Sequence, residues 1–204
     1  MKNLKKISAL FLVFSLFSLS SCVETVVLGT AATATVMLRE KTLEDTGQDV
    51  AIVSKIETQF LKVGLKNPGN SIDVTVNEGR VLLTGVVRNL EKAKIASQVV
   101  WKVEGVKEVI DEVQAETDSL RPRDFSKSAK DYFLTLRVEL ALLFAREIAT
   151  VNYKVTTVRG VVYVIGVAQD DSEMKRALGK IAKIRGVKKI VNYVILANDA
   201  RRRQ

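Results

Sequence analysis

The chain repeats a short stretch of its own sequence 81 residues later. Residues 78–87 read EGRVLLTGVV and residues 159–168 read RGVVYVIGVA, so two glycines are kept at the same spacing. The same offset relates Gly105 to Gly186, and it pairs intervening valines with valine or isoleucine. A constant offset over more than thirty residues indicates two copies of one small domain.

The apolar pattern within each copy predicts the order helix, strand, strand, helix, strand. In the first copy the first helix is predicted from apolar residues at helical spacing, which are Ile52, Ile56, Phe60 and Leu61. Residues 67–70 (NPGN) predict its end. Residues 72–76 alternate as a half-buried strand, and residues 77–79 (NEG) predict a hairpin turn. Each copy is therefore an α/β sandwich of αββαβ order, with two helices on a three-stranded mixed sheet.

Three pairs of recurring glycines have three predicted roles. They predict a turn, a close approach of two backbones within the sheet, and a helix C-cap, at Gly79/Gly160, Gly85/Gly166 and Gly105/Gly186 respectively. Their spacing matches neither the GxxxxGKS/T nor the GxGxxG pattern, so they do not form a phosphate loop.

The first 21 residues have the composition of an export signal. A basic start, MKNLKK, precedes a short apolar run and then small residues. One interpretation is an ordinary secretory signal peptide in which Cys22 is incidental. The favoured interpretation is a lipoprotein signal, because residues 19–22 (LSSC) resemble a bacterial lipobox, whose cysteine carries diacylglycerol and an amide-linked acyl chain. Cys22, the one cysteine in the chain, is then the lipid attachment site.

The residue after the cysteine predicts the destination of the lipoprotein. It is Val23 rather than the aspartate that typically retains such proteins in the inner membrane. By that resemblance the mature chain is anchored at the periplasmic face of the outer membrane.

Composition shifts along the chain predict six segments. They are a lipoprotein signal peptide (1–21), a lipidated tether (22–48), the first domain (49–116), a linker (117–128), the second domain (129–197) and a basic tail (198–204).

The residue types argue against an enzyme. The chain has no histidine, which excludes Ser-His-Asp and Cys-His catalysis and removes the commonest metal ligand. Its lone cysteine is assigned to the lipid anchor. We therefore predict no catalytic residues, no metal and no cofactor.

Several stretches resemble the BON domain. They are the hairpin VTVNEGRVLLTGVV, an alanine-rich helix after it, and the closing stretches VEGVKEVIDEV and IRGVKKIVNYV. With the lipobox and the segment GTAATATV ahead of two copies, the chain is similar to dual-BON outer-membrane lipoproteins of the DolP type. The second copy is the closer match, through KDYFLTLRVELALL and YKVTTVRGVVYVIGVAQ.

This resemblance implies a function without catalysis. Members of the family bind anionic phospholipid through the first helix of the second domain and support envelope integrity near division sites. The aromatic residue near the start of that helix is usually tryptophan in the family, and here it is Phe133.

The first helix of the second copy carries apolar residues on two sides, where packing on one sheet needs only one. The side expected to face the sheet consists of Leu134, Val138, Ala141, Leu142 and Ala145. The other side contains Tyr132, Leu136, Leu140 and Leu143, with Phe133 and Phe144 beside them. At the offset of 81, its three leucines correspond to Lys55, Gln59 and Lys62. This second side either faces a membrane or packs on the first domain or the linker.

Charge favours the membrane. Residues 49–116 contain nine Lys or Arg against ten Asp or Glu, whereas residues 121–204 contain eighteen against eight. Basic residues beside an apolar stripe are typical of an interfacial helix at an anionic membrane. The predicted contact residues are Phe133, Leu136, Arg137, Leu140, Leu143, Lys127 and Lys130. Other basic residues are predicted to be a solvated face, and residues 201–203 a frayed tail.

Two functions follow from these observations. The leading hypothesis is a peripheral lipoprotein whose second domain binds an anionic phospholipid membrane. The alternative is an envelope adaptor, in which the same apolar stripe binds an outer-membrane assembly factor or an activator of a cell-wall amidase. Nucleic acid is excluded as a partner because the predicted export removes the chain from it.

Overall fold

The structure is a computed structural model that describes residues 43–67, 70–87, 89–115 and 125–203. The predicted signal peptide, Cys22, and most of the tether and the linker lie outside the described residues. Within the described ranges, the two copies of the repeat form two α/β domains.

The first domain has the predicted αββαβ order. Helix α1 spans Leu43–Lys62 and is followed by strands β1 (Ser71–Asn77) and β2 (Arg80–Val87). Helix α2 (Leu90–Val100) then leads to strand β3 (Glu108–Ala115). Strand β2 lies in the centre, antiparallel to β1 and parallel to β3, so the sheet is mixed.

The second domain repeats this order and confirms the predicted fold class. Helix α3 spans Phe125–Leu143, and a short 3-10 turn leads into strands β4 (Tyr153–Val158) and β5 (Val161–Ala168). Helix α4 (Asp171–Ala182) and strand β6 (Lys189–Leu196) complete it. Strand β5 is central, antiparallel to β4 and parallel to β6.

A two-residue turn closes the hairpin in each domain, as predicted, and an aspartate on the preceding helix holds it. Glu78 and Gly79 have φ angles of 54° and 78°, which suit the twist of a two-residue hairpin. The carboxylate of Asp49 accepts both of their backbone N–H groups at 3.0 Å. Asp131 accepts the corresponding N–H groups of the second hairpin at 2.6 and 2.9 Å. Each hairpin is therefore fixed to the first helix of its own domain.

Each pair of helices covers one face of its own sheet. In the first domain the core contains Ile56, Phe60 and Val100 from the helices and Val81 and Leu83 from β2. The core of the second domain is built in the same way and lies between α3, α4 and the sheet. Because side chains alternate along a strand, the residues between these core positions point away from the helices.

A third core lies where the two sheets pack against each other. Its buried members come from the faces that the helices leave uncovered, and they are Leu82, Ile110, Val158, Tyr163 and Ile165. This contact explains why β2 and β5 are buried on both faces along almost their whole length. The two domains therefore meet through their sheets, with the helices on the outside.

Polar contacts also cross this interface. The buried side chain of Arg80 pairs with Glu108 at 2.6 Å and also donates to the backbone oxygen of Tyr193 at 3.0 Å. The hydroxyl of Tyr193 donates in turn to the carboxylate of Glu112 in the first domain. Burial, and then the hydrogen bond to Glu112, raise the pKa of Tyr193 above its usual value. Arg80 and Tyr193 thus each have a hydrogen-bond partner in the other domain.

The C-terminal residues are ordered, so the predicted frayed tail at residues 201–203 is wrong. Residues Ala200–Arg203 form a 3-10 helix, and Arg202 makes two hydrogen bonds with the carboxylate of Glu78, at 2.8 and 2.9 Å. Hydrogen bonds from Arg201 hold the pKa of Asp199 well below its usual range. The tail is ordered because its partner lies on the hairpin of the first domain, 124 residues away in sequence.

The helix boundaries also differ from the prediction. Helix α1 begins at Leu43, inside the predicted tether, and α3 begins at Phe125, inside the predicted linker. These additional turns were missed because polar and small residues give them no apolar period. Helix α1 ends at Lys62 rather than near residue 67, because Gly64 adopts a left-handed conformation and Leu65 N–H bonds to Phe60 O at 2.9 Å.

Gly105 and Gly186 are not helix C-caps, contrary to the prediction. Helices α2 and α4 end at Val100 and Ala182, and their C-cap residues Trp101 and Lys183 are right-handed. Gly105 lies four residues after the C-cap Trp101, and Gly186 lies three residues after the C-cap Lys183. Both are in the turn that precedes the last strand, with φ of 91° and 105°. A 3-10 turn ends each helix first, and the glycine then reverses the chain.

Candidate functional site

Helix α3 is amphipathic toward its own sheet. Leu134, Val138 and Leu142 are at most 3% exposed and lie in the core of the second domain. Their spacing of four residues places them on one side of the helix. This side is the one that the sequence predicted to face the sheet.

The opposite side of α3, together with the residue that follows the helix, forms an uncovered apolar surface, which we call the exposed stripe. Its members are 39–79% exposed, and they are Tyr132, Phe133, Leu136, Leu140, Leu143 and Phe144. The rings of Tyr132 and Phe133 contact each other edge to face at 5.8 Å. An apolar surface of this kind on a helix is unusual for a face that meets only water.

The first domain does not cover the exposed stripe. The two domains meet through their sheets, and α3 lies on the helical face of the second sheet, away from the first domain. The predicted alternative of packing on the first domain is therefore wrong. Residues 117–124 of the predicted linker lie outside the described residues.

Comparison of α1 with α3 corrects the offset by which these helices correspond. Asp49 and Asp131 make the same two hydrogen bonds, and they are 82 residues apart. The buried residues Ile52, Ile56 and Phe60 correspond to Leu134, Val138 and Leu142 by the same offset. The second copy of the repeat therefore has one residue fewer between the first helix and the hairpin.

At the corrected offset, two leucines of the exposed stripe still have polar counterparts in α1. Leu136 corresponds to Ser54 and Leu140 to Thr58, and both α1 residues are exposed. Leu143 corresponds to Leu61, which is also apolar. Leu61 is 66% exposed, so it does not join the buried residues of α1 with which the sequence grouped it. At the positions of Leu136 and Leu140, the first helix therefore carries a small polar residue in the first domain and leucine in the second.

Two of the predicted basic residues lie beside the exposed stripe. Lys130 and Arg137 are exposed, and helical geometry places them along one edge of it, next to Phe133 and Phe144. The side chain of Lys127 lies outside the described residues. The structure thus brings Phe133, the three leucines and two of the three cations to one surface.

Three residues of this region are not among the predicted contact residues. Tyr132 and Phe144 were placed beside the leucines but were not predicted to make contact, although they are 67% and 79% exposed. Arg185 lies in the loop after α4, which approaches α3 at Gly186. Helical periodicity could have identified the two aromatic residues, but no local signal connects Arg185 to α3.

The described residues contain neither a candidate metal site nor a candidate membrane-spanning helix. They include no group of three or more His, Cys, Asp or Glu side chains that could hold a metal ion. Within the same ranges, no helix combines the length and the apolar character needed to cross a bilayer.

The comparisons with known proteins identify the class of the chain. The family model of the BON domain matches residues 48–117 and 134–198, which together are more than half of the chain. The chain belongs to the BON-domain family and has two copies of the domain.

A curated relative specifies the type. The chain is 29% identical to the outer membrane lipoprotein DolP of Haemophilus influenzae over 174 residues, which cover 85% of this chain and 87% of that one. It is a dual-BON protein of the DolP type. An uncharacterised protein from the region 5′ of gshII in Anaplasma centrale is 35% identical over 155 residues, which cover 76% of this chain and 99% of that one.

A similar solved structure is the C-terminal domain of CdsD, a structural protein of the type III secretion system of Chlamydia trachomatis. It covers 71% of this chain and 96% of its own, with 16% sequence identity and a TM-score of 0.31.

Proposed function

We propose that this chain is a non-enzymatic outer-membrane lipoprotein that binds anionic phospholipid through the exposed stripe of α3. The observation that carries the proposal is a helix whose inner side is fully packed while its outer side leaves six apolar side chains uncovered beside exposed cations. This arrangement suits an interfacial helix, because the leucines can enter the acyl region while the cations meet the headgroups.

The proposed anchor is a lipid on Cys22. Support comes from the lipobox-like residues 19–22 and from the similarity to a relative named as an outer membrane lipoprotein. Two or more acyl chains hold a protein stably on a membrane, so α3 would then act on a surface that the anchor has already reached. Metabolic labelling with a fatty acid should mark the wild type and not Cys22→Ser, and an unlabelled wild type would contradict the anchor.

The resemblance to the dual-BON family extends this proposal to support of envelope integrity near division sites. A strain without the protein should become more permeable to detergents, and a fluorescent fusion should concentrate at mid-cell. A uniform distribution along the membrane would remove the division-site part of the proposal.

A vesicle experiment tests lipid binding directly. Residues 38–204 form a compact unit that contains every described helix and strand, so this segment can be used without the anchor. It should float with vesicles that contain phosphatidylglycerol and not with vesicles of phosphatidylcholine alone. Leu136→Asp and Leu140→Asp should reduce binding roughly tenfold or more, since a buried leucine contributes about 1.5–3 kcal/mol and the new carboxylate is repelled.

Matched variants separate binding from folding. Leu136→Ser places the residue of the corresponding α1 position, Ser54, in α3, and should weaken binding while leaving the melting temperature close to wild type. Leu142→Ala should lower the melting temperature, because this leucine is 1% exposed and its truncation leaves a cavity. If Leu136→Asp unfolds as readily as Leu142→Ala, the stripe is buried and the proposal fails.

The alternative is a docking surface for an envelope protein, such as an outer-membrane assembly factor or an amidase activator. The observation that favours it is the aromatic content of the stripe, because tyrosine and phenylalanine are enriched in protein interfaces. A folded Leu136→Asp variant that still binds phosphatidylglycerol vesicles would support this alternative.

A further inference from the structure

The loop before the last strand carries opposite charges in the two domains at the point where it approaches the first helix. In the first domain, Lys55 on α1 pairs with Glu104 in this loop, with Nζ and Oε2 3.0 Å apart. In the second domain, Arg137 corresponds to Lys55 at the helix offset of 82, and Arg185 corresponds to Glu104 at the loop offset of 81. An ion pair in one copy is therefore replaced by two arginines in the other.

The geometry brings the side chain of Arg137 to the loop that carries Arg185. Arg137 Nη2 lies 3.4 Å from the position that a Cβ atom on Gly186 would occupy, and the side chain of Leu134 lies 3.7 Å from it. In the first domain, the corresponding Gly105 lies in the same way over Ile52, at 3.1 Å. Arg137 thus lies against the loop immediately after Arg185.

Neither arginine is neutralised within the described part of the chain. Both are exposed, and neither makes an ion pair or a hydrogen bond with a described residue. Two like charges close together repel each other, whereas an anion between them would attract both. The planar guanidinium group suits phosphate in particular, because it donates two parallel N–H bonds to two oxygens.

The position of the pair relative to the exposed stripe indicates which phosphate it binds. Arg137 follows Leu136 directly and precedes Leu140 by three residues, so it lies at the border between the apolar surface and the basic loop. At a membrane, the phosphate groups lie at this same border between acyl chains and water. A free phosphate would gain nothing from the adjacent leucines, whereas a lipid would.

We propose that Arg137 and Arg185 form a binding site for the phosphate of an anionic phospholipid headgroup, at the edge of the exposed stripe. This site deepens the proposed function and rests on it for the membrane itself. This site also explains why position 185 is arginine. A glutamate there would form an ion pair with Arg137, as Glu104 does with Lys55 in the first domain.

The key variant is Arg185→Glu, which installs the charge of the first domain. Its matched control is Lys180→Glu, which makes the same change of charge on the exposed side of α4. With vesicles containing phosphatidylglycerol, Arg185→Glu should weaken binding of residues 38–204 roughly tenfold or more, and Lys180→Glu several-fold less. Arg185→Lys should restore part of the loss, because lysine keeps the charge without the bidentate geometry.

A second measurement separates this site from membrane binding as a whole. Dihexanoyl phosphatidylglycerol, kept below its micelle concentration, should shift the NMR signals of residues 184–187 and the side chain of Arg137, and Arg185→Glu should abolish the shifts. Inorganic phosphate at the same concentration should leave them in place. Equal shifts with inorganic phosphate would overturn the lipid assignment.

The outcomes distinguish the two proposals. If the wild type binds vesicles but Arg185→Glu and Lys180→Glu lose affinity equally, the arginine pair is overturned while the proposed function stands. If the soluble lipid shifts these signals but vesicles are not bound, the pair stands and membrane docking is overturned. If neither probe binds, both are overturned.

Discussion

Gly85 and Gly166 occupy the same place in the two central strands, and each allows the neighbouring strand to pass close by. A Cβ atom on Gly85 would lie 1.8 Å from the backbone oxygen of Ser71, and on Gly166 it would lie 2.2 Å from that of Asn152. The predicted close approach is thus confirmed at both positions. The opposing atoms are backbone, so they cannot move aside as the end of a flexible side chain could.

Gly166→Ala should therefore lower the stability of the second domain. Inserting a methyl group into a packed site typically costs about 1–3 kcal/mol, and the backbone contact here places the change toward the upper end. Thermal or urea unfolding of residues 38–204 measures the effect. Gly179→Ala is the control, because a Cβ atom there meets nothing within 4 Å, and an equal loss in both variants would contradict the argument.

At the scale of elements, α3 combines two sources of affinity that respond differently to salt. The exposed stripe contributes through burial of apolar area, which moderate salt does not screen. Lys130 and Arg137 contribute through charge, and raising the ionic strength from about 0.15 M to 1 M shortens the screening length from about 8 to 3 Å.

Binding to phosphatidylglycerol vesicles should therefore weaken as sodium chloride is raised. Each basic residue near an anionic surface contributes about 1 kcal/mol, so loss of two such contributions corresponds to a decrease of more than tenfold. Flotation or a fluorescence titration at both salt concentrations measures it. An affinity that does not change would mean that the charges beside the stripe play no part.

At the scale of the whole molecule, the packing of the two sheets joins the repeats into one unit. Leu82 and Ile165 are fully buried, come from different domains and belong to the same core between the sheets. Truncating either should cost about 2–5 kcal/mol, the range for large-to-small changes in cores.

A double-mutant cycle tests whether this interface couples the domains. Leu82→Ala and Ile165→Ala should combine with a deviation from additivity of about 0.5 kcal/mol or more, because they share one core. Leu82→Ala combined with Leu142→Ala should be close to additive, since Leu142 belongs to the separate core under α3. Additive behaviour of the first pair would show that the sheets do not depend on each other.

The same interface marks the limit of what the sequence could predict about the fold. The order of the elements, the hairpin turns and the inner side of α3 follow from periods of two and 3.6 residues, which are local properties of the chain. The helix starts at Leu43 and Phe125 were missed, because turns without an apolar period leave no such signal. Arg202 was predicted to lie in a frayed tail, because its partner Glu78 is distant in sequence and gives no local signal.

For the candidate site, the apolar and charge patterns of the sequence predicted that α3 has two apolar sides and that cations lie near one of them. That the second side stays uncovered follows from the tertiary structure, because it depends on which faces of the two domains meet. Packing of sheet on sheet buries β2 and β5 and turns α3 outward. The approach of the Gly186 loop to Arg137 is likewise a contact between distant segments, and no local period encodes it.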